Sequence, residues 1–193
     1  MMLHLQDGTT RALDFRETAP LDASEDMFMR NGEYVPKLSR QGGLASGVPG
    51  VVDGMIKALG RYGRLPLEAV LRPAINIARK GYPLSWTQAK ELNDDAEAFE
   101  QYQGSAKYFL PKSRNKWHEG DMFVQKDLAN TLERIANRGR AGFYSGKTAD
   151  LIVQEMQRQG GLISYEDLQE YESVWRDPVT ASFQGYDLHI MPP

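Results

Sequence analysis

Alternating apolar and polar residues predict a β-hairpin at each end of the chain. Near the N-terminus, residues 3–5 and 13–15 alternate on either side of Asp7-Gly8, a dipeptide typical of tight turns. Near the C-terminus, residues 179–190 alternate on either side of Gln184-Gly185. We expect these hairpins to form a small, incomplete sheet around a helical middle.

Apolar residues at helical spacing predict a series of helices between the hairpins. Ser85 with Gln88, and Ser164 with Asp167, match capping boxes and mark two helix starts. Pro73 lacks the N–H that a helix interior uses, so we expect one helix to end and another to begin there. The predicted helical segments are about 51–72, 73–81, 85–102, 124–138, 149–159 and 164–171.

Two segments show neither the helical nor the strand period. Residues 21–46 contain Asn31-Gly32 and Gly42-Gly43 and are expected to be irregular. Residues 104–120 are also expected to be irregular, and this is long for a structureless connection in a compact domain. The length of the second segment favours a functional or partner-covered role.

The composition is that of a globular domain. Of the 193 residues, 41% are hydrophobic and 25% are charged, which is too apolar for an intrinsically disordered chain. We expect one compact domain or a large piece of a bigger one, with an α+β fold class. The chain lacks an apolar stretch long enough to span a membrane. A net charge of −3 without a basic stripe disfavours nucleic acid as a partner.

Candidate motifs for metal, nucleotide or thiol chemistry are weak. The sequence has no cysteine, which excludes thiol nucleophiles, disulfides and thiolate zinc sites. His4, His118 and His189 are far apart in sequence, and none has a second ligand-type residue at i+4 spacing. Residues 145–148 resemble the end of a phosphate-binding loop, but Ala141 stands where its first glycine is needed. The residues alone therefore predict no metal site, no cofactor and no catalytic residue.

Arg16 occupies a position from which a side chain can be aimed. It directly follows the alternating segment that ends at Phe15 and precedes Glu17, so its guanidinium leaves the end of a predicted strand. A rigid backbone there can direct the planar guanidinium at a carboxylate. The alternative is a surface arginine paired with a neighbouring glutamate, and the residues alone favour that alternative.

Arg16 lies within the octapeptide Leu13-Asp14-Phe15-Arg16-Glu17-Thr18-Ala19-Pro20, which resembles the arginine-bearing motif of the gamma-glutamyltranspeptidase (glutathione hydrolase) family. Further segments resemble the same family in the same order over nearly all 193 residues. They include Gly47-Val48-Pro49-Gly50, Arg72-Pro73-Ala74-Ile75, Ala78-Arg79-Lys80-Gly81, Phe143-Tyr144, Gly160-Gly161-Leu162-Ile163 and Met191-Pro192-Pro193.

This resemblance implies an N-terminal-nucleophile hydrolase with a four-layer αββα sandwich. In such enzymes a precursor cleaves itself into a large and a small chain, and the new N-terminal threonine of the small chain attacks the γ-glutamyl amide of glutathione-like substrates. By the same resemblance, Arg16 binds the α-carboxylate of the γ-glutamyl group. The family also implies a periplasmic or extracellular protein that needs no cofactor.

The resemblance covers only the middle of the family's large chain, so we expect residues 1–193 to be a partial large-chain region. Every threonine of this chain is internal, and the nucleophile is therefore expected on the small catalytic chain of the same precursor. The 193-residue chain alone should be inactive. Two alternatives remain open: a related acylase acting on cephalosporins or poly-γ-glutamate, and a truncated, non-catalytic structural or binding module.

Overall fold

A computed structural model of the protein describes residues 1–112 and 115–193. The strands are β1 (Met2–His4), β2 (Thr10–Asp14), β3 (Met29–Arg30), β4 (Glu33–Tyr34), β5 (Tyr82–Pro83), β6 (Met122–Phe123), β7 (Val174–Arg176), β8 (Val179–Phe183) and β9 (Tyr186–Ile190). The helices are α1 (Val51–Tyr62), α2 (Leu67–Lys80), α3 (Trp86–Asp94), α4 (Ala96–Glu100), α5 (Gln103–Phe109), α6 (Lys126–Arg138), α7 (Ala141–Tyr144), α8 (Gly146–Gln159) and α9 (Tyr165–Glu170). This mixture confirms the α+β fold class. None of the helices in these two ranges is long and apolar enough to cross a bilayer.

The described residues form two compact units. The first consists of residues 1–67 and 137–193 and contains the strands β1–β4 and β7–β9 with α1 and α7–α9. The second consists of residues 68–136 and contains α3–α5, most of α2 and α6, and the pair β5–β6. The candidate site described below lies entirely in the first unit.

The sheet of the first unit has three antiparallel strands in the order β1-β2-β7. The predicted N-terminal hairpin is confirmed, with Met2 opposite Ala12. The third strand was not predicted, because β7 has only three residues and its partner β2 lies about 160 residues earlier in the chain. β2 is therefore the central strand, and Ala12 and Leu13 on it are fully buried.

The predicted C-terminal hairpin is also confirmed. β8 and β9 pair antiparallel around Gln184 and Gly185, whose positive φ angles of 50° and 82° suit a two-residue turn. Cross-strand pairing places six apolar or aromatic residues on one side of the hairpin, which we call the apolar hairpin face. Its members are Val179 with Ile190, Ala181 with Leu188, and Phe183 with Tyr186, and all six are exposed.

Each unit has its own hydrophobic core. In the first unit the core joins Val48 to side chains of α7, α8 and α9 and to Tyr171. In the second unit Leu84, Ala89 and Phe123 form the core, with Trp117 packed against it. The core of the first unit lies directly beneath the candidate site.

The predicted break at Pro73 is wrong. α1 ends at Tyr62, and α2 runs from Leu67 to Lys80 with Pro73 in its interior. The reason is a single apolar stripe at i, i+4, i+8 and i+11 that continues on both sides of the proline. Its members are Leu67, Leu71, Ile75 and Ala78, all of them buried or half-buried. Burial of one continuous stripe outweighs the missing N–H, and the helix ends at Gly81 as predicted, with a φ of +83°.

The predicted single helix over 85–102 is also wrong. Its capping box at Ser85 is present, but Asp95 separates α3 from α4. A further helix, α5, begins at Gln103 and extends to Phe109, into the segment 104–120 expected to be irregular. Aspartate is a weak helix former that competes for backbone hydrogen bonds, which explains the first break. Two contacts of Phe109 stabilise α5. Its ring centroid lies 4.9 Å from that of Phe99, and its backbone carbonyl accepts a hydrogen bond from the Trp117 indole N–H at 2.6 Å. Of the segment 104–120, residues 113–114 lie outside the described residues.

The segment 21–46 is largely irregular, as predicted. It does contain the short pair β3–β4 around Asn31-Gly32, both with positive φ. Each strand has only two residues, too few to show an alternating pattern in the sequence.

Replacing Pro73 with alanine should raise the free energy of unfolding by about 1–2 kcal/mol, because alanine restores a donor for the carbonyl of Ala69 and removes the ring. Urea denaturation of the two proteins measures this difference. Pro66→Ala is the matched control, since Pro66 lies just before α2 and should give no comparable gain. Equal or lower stability of Pro73→Ala would show that the proline costs the helix nothing.

Candidate functional site

The side chain of Arg16 extends into solvent directly after the end of strand β2. It is 82% exposed, and its Nη2 lies 3.4 Å from Oε1 of the neighbouring Glu17, which is itself exposed. An ion pair in such a position is worth little and is easily exchanged for another carboxylate. The guanidinium is therefore accessible to a ligand.

The backbone of Arg16, in contrast, is held on several sides. Its N–H donates to Oδ1 of Asp14 at 3.2 Å, and its carbonyl accepts a hydrogen bond from the Tyr171 hydroxyl at 2.8 Å. Two residues later, Thr18 forms an antiparallel bridge with the buried Val48, whose N–H donates to the Thr18 carbonyl at 2.8 Å. The structure thus combines an exposed side chain with a fixed backbone.

Asp14 connects this segment to the neighbouring strand. Its Oδ2 accepts from Nε of Arg176 on β7 at 2.9 Å, while Oδ1 accepts from the Arg16 N–H. The hydrogen bond from the Arg16 N–H and that from Arg176 hold the pKa of Asp14 below its usual value. Asp14 is therefore an ionised acceptor at neutral pH, and it fixes the end of β2 rather than serving as an acid.

Tyr171 reaches Arg16 from the core. Its ring lies parallel to that of Tyr144, with centroids 5.9 Å apart and an interplanar angle of 3°. The Tyr144 hydroxyl donates to the Pro49 carbonyl at 2.7 Å and accepts from the Asp53 N–H at 3.3 Å. Burial raises the pKa of Tyr144 to about 12, so this hydroxyl stays protonated and continues to donate. The two tyrosines form a rigid support between the start of α1 and the strand end.

The support is anchored on Asp53, which is only 5% exposed. Its Oδ2 accepts from both the N–H and the hydroxyl of Ser173, at 2.8 and 2.6 Å, and its Oδ1 accepts from Nε of Arg140 at 2.9 Å. Arg140 also donates to the carbonyls of Gln169, at 3.0 Å, and Tyr171. We call Asp53, Arg140 and Ser173 the buried clamp. It joins α1 to the segment that carries Tyr171.

Two opposing effects act on the pKa of Asp53. Burial alone would raise it, but the hydrogen bonds from Ser173 and Arg140 outweigh the burial and hold the pKa below its ordinary value. The carboxylate is therefore ionised at neutral pH and fully satisfied by donors. Its function is structural, because it faces the interior and not solvent.

Two glycines allow α1 to lie against this segment. A Cβ on Gly50 would stand 1.9 Å from the Tyr171 hydroxyl, and one on Gly54 would stand 2.3 Å from the Phe15 ring. Neither has a positive φ, so space, and not backbone conformation, requires glycine here. Gly50 belongs to a segment that the sequence singled out, but its contact with Tyr171 could not be predicted from it.

The sequence singled out Arg16 as a candidate and missed the residues that hold its backbone. Asp53 lies in α1, Arg140 lies just before α7, and Tyr171 and Ser173 lie in one segment after α9. They are up to 155 residues away in sequence from the partners they contact. Asp53 looks like an ordinary solvated residue in the first turn of a helix. Two features of the sequence hint at burial: the neighbours of Asp53 in the helix are apolar, and the residue that follows it is a glycine.

The histidines do not form a metal site in the described parts of the chain. His4 accepts or donates a hydrogen bond with Thr10 at 2.9 Å, and the His189 ring lies 6.4 Å from the His4 ring, although the two are distant in sequence. His118 lies 3.6 Å from Asp121. Among residues 1–112 and 115–193, no three or more metal-ligating side chains come together.

Comparisons of the sequence and of the structure with known proteins all lead to one family. The gamma-glutamyltranspeptidase family model matches residues 1–193. The glutathione hydrolase proenzyme of Escherichia coli K12 is 40% identical over 195 residues, covering 100% of this chain and 33% of that protein. The crystal structure of Helicobacter pylori gamma-glutamyltranspeptidase matches with a TM-score of 0.97 and 47% identity, covering 100% of this chain and 56% of that one.

A cephalosporin acylase from Bacillus halodurans has the same fold. Its crystal structure matches with a TM-score of 0.89 and 29% identity, covering 98% of this chain and 36% of the acylase chain. The chain described here spans about a third of the length of its curated E. coli relative.

Asp53→Asn should lower the free energy of unfolding by about 3 kcal/mol at pH 7. It removes the negative charge that pairs with Arg140, and it replaces one carboxylate oxygen by an NH2 group that cannot accept a hydrogen bond from Ser173 or Arg140. Asp187→Asn is the matched control: Asp187 also binds a serine hydroxyl, that of Ser182 at 3.0 Å, but it is exposed. Its loss should stay within about 0.5 kcal/mol. Similar losses for both variants would contradict the assignment of Asp53 as the anchor.

The stabilisation by Asp53 should depend on pH in a defined direction. Its folded pKa lies below its unfolded pKa of about 4, so its contribution is complete above that value and is lost as the pH falls through the folded pKa. The difference in unfolding free energy between wild type and Asp53→Asn should therefore be constant from about pH 5 to 7 and shrink below about pH 4. A difference that grows on acidification would have the wrong sign.

Proposed function

The chain belongs to the gamma-glutamyltranspeptidase family, and on that basis we propose that the protein of which it forms part cleaves the γ-glutamyl amide of glutathione-like substrates. The γ-glutamyl group then passes to water or to an amino acid. The names of its relatives support this proposal, and so does the presence of an exposed arginine at the end of β2. We further propose that residues 1–193 form part of the large chain of a precursor.

In this proposal, Arg16 binds the α-carboxylate of the γ-glutamyl group. The planar guanidinium offers two parallel donors to a carboxylate, an arrangement that is stronger and more directional than a single neutral hydrogen bond. The fixed backbone reduces the entropy that Arg16 loses on binding. Glu17 occupies the guanidinium in the absence of substrate, and because this pair is exposed, its exchange for a substrate carboxylate costs little.

The nucleophile is proposed to be a threonine at the N-terminus of the small chain, released by self-cleavage of the precursor. Its hydroxyl attacks the γ-carbonyl and its α-amine takes the hydroxyl proton. The α-amine then gives this proton to the leaving nitrogen as the C–N bond breaks, so that a neutral amine departs and the acyl-enzyme ester forms. Water or an amino acid then attacks the ester and regenerates the threonine. This chain would contribute substrate binding, and no catalytic residue is assigned within it.

The apolar hairpin face supports a further part of the proposal, namely that the small chain covers β8 and β9. Six apolar or aromatic residues in register would form an unusually large exposed patch on a finished protein. The small chain of the same precursor is an occupant present at a one-to-one ratio, and it must lie close to Arg16 for the reaction to occur.

We also propose that the protein acts in the periplasm or outside the cell, which rests on family membership alone. Fractionation of cells expressing the complete gene tests this: activity in the periplasmic or culture fraction supports it, and activity confined to the cytoplasmic fraction contradicts it.

An acylase acting on cephalosporins is the second candidate, because the B. halodurans acylase shares the fold at 29% identity. In that case Arg16 would bind the carboxylate of a different acyl group. Parallel assays of the purified full-length protein with a γ-glutamyl anilide and with an acyl-cephalosporin distinguish the two, since the preferred substrate has the higher kcat/KM.

Arg16→Ala in the full-length, processed protein should lower kcat/KM for a γ-glutamyl anilide by roughly 10- to 150-fold, corresponding to about 1.5–3 kcal/mol for a charged hydrogen bond. Arg72→Ala is the matched control, because Arg72 is also exposed and also pairs with an exposed glutamate, Glu68. Its kinetics should equal those of wild type. Unchanged kinetics of Arg16→Ala would remove Arg16 from the substrate site.

Leu188→Asn should reduce the yield of the assembled two-chain protein, because it places an amide on the apolar hairpin face. His189→Asn is the matched control, since the neighbouring residue points to the opposite side of the same strand. Size-exclusion chromatography of the processed protein compares the two. Equal recovery of the assembled form would show that the small chain does not bind this face.

A further inference from the structure

We propose that Tyr171 is a positioning residue for Arg16, and that its hydroxyl sets how strongly the site selects for an α-carboxylate. This inference rests on the proposed function of Arg16. Tyr171 lies 155 positions away from Arg16 in the chain. Its hydroxyl donates to the backbone carbonyl of Arg16 and not to the guanidinium.

The donor is held rigidly. Tyr171 is 6% exposed and belongs to the core of the first unit, together with Val48 and Leu168. Its ring is parallel to that of Tyr144, and its own carbonyl accepts a hydrogen bond from Arg140 of the buried clamp. A hydroxyl on such a ring has little freedom to follow a moving partner, so it fixes the partner instead.

The fold also keeps space for this hydroxyl. A Cβ on Gly50 would come within 1.9 Å of the Tyr171 hydroxyl oxygen and within 2.4 Å of the Phe15 carbonyl oxygen, while the φ of Gly50, −108°, is open to any residue. Glycine at this position therefore leaves room for two groups beside the start of α1: the end of the strand segment at Phe15 and the Tyr171 hydroxyl that reaches the Arg16 carbonyl. This is a second observation, independent of the hydrogen bond, that links the shape of the site to the hydroxyl.

The direction of the hydrogen bond is unambiguous. A carbonyl oxygen only accepts, so the phenol must donate. Burial, followed by the nearby carboxylates of Asp53, Asp14 and Glu17, raises the pKa of Tyr171, which keeps the phenol protonated. The contact is therefore present throughout the neutral range.

The consequence for binding follows from geometry. The exposed Arg16 side chain takes its direction from its Cα, and the Tyr171 and Asp14 hydrogen bonds hold the two peptide groups on either side of that Cα. Loss of the hydroxyl allows the following peptide to rotate, which spreads the guanidinium over more positions. A two-point contact with a carboxylate is sensitive to such a displacement.

The test uses the full-length, processed protein and two competitive inhibitors, L-glutamate and its α-amide, with a γ-glutamyl anilide as substrate. The ratio of the two inhibition constants measures selection for the α-carboxylate. It does not depend on the fraction of folded enzyme, so a merely structural loss leaves it unchanged. Tyr171→Phe is compared with Tyr165→Phe, which removes an exposed hydroxyl bonded to Asp150 at 3.2 Å.

We expect Tyr171→Phe to lower this selection ratio about three- to tenfold, the effect of one neutral hydrogen bond, with kcat changed by less than twofold. Tyr165→Phe should keep the wild-type ratio. If Tyr171→Phe is too unstable at the assay temperature, the ratio is measured at a lower temperature, because it does not depend on the folded fraction.

A wild-type ratio in Tyr171→Phe would overturn the inference, provided that Arg16→Ala lowers the ratio. If Arg16→Ala itself keeps the wild-type ratio, the proposed role of Arg16 fails and the inference fails with it. The Arg16 variant therefore separates the two failures.

Discussion

The buried carboxylate of Asp53 is the interaction on which the first unit depends. A charge with 5% exposure is tolerated only when donors surround it, and here Ser173 and Arg140 supply them from segments 87 to 120 residues away in sequence. In satisfying one charge, the chain brings together the start of α1, the helix α7 region and the segment leading into β7. Removing Arg140 would leave the carboxylate of Asp53 buried without its cationic partner.

This anchoring resolves a conflict between binding and positioning. A side chain that binds a substrate carboxylate must be exposed, but exposed arginines have many rotamers and are poorly directed. At Arg16 the two requirements fall on different parts of the same residue: the guanidinium is in solvent, and the backbone is tied to the core through Tyr171, Asp14 and the bridge at Thr18. The clamp, the stacked tyrosines and the strand end form one continuous support.

The sequence predicts the local features well because their causes are local. Both end hairpins, the capping boxes at Ser85 and Ser164, and the helix end at Gly81 follow from turn residues and caps that act over a few positions. Pro73 shows the limit of such rules, since a stripe of buried residues on both sides of it overrides the missing donor.

The candidate site divides in the same way. Arg16 could be selected from its position after a strand and from a resemblance, but residues alone favoured a surface arginine. Tyr171 and Asp53 could not be selected, because a buried tyrosine and an aspartate in a first helical turn are common, and only tertiary contacts distinguish these two.

The most direct test of the account is a crystal structure of the full-length, processed protein with L-glutamate bound. The account predicts that both oxygens of the α-carboxylate contact the Arg16 guanidinium at hydrogen-bond distance, with the Tyr171 hydroxyl still donating to the Arg16 carbonyl. A ligand whose α-carboxylate binds elsewhere, while Arg16 stays paired with Glu17, would contradict it.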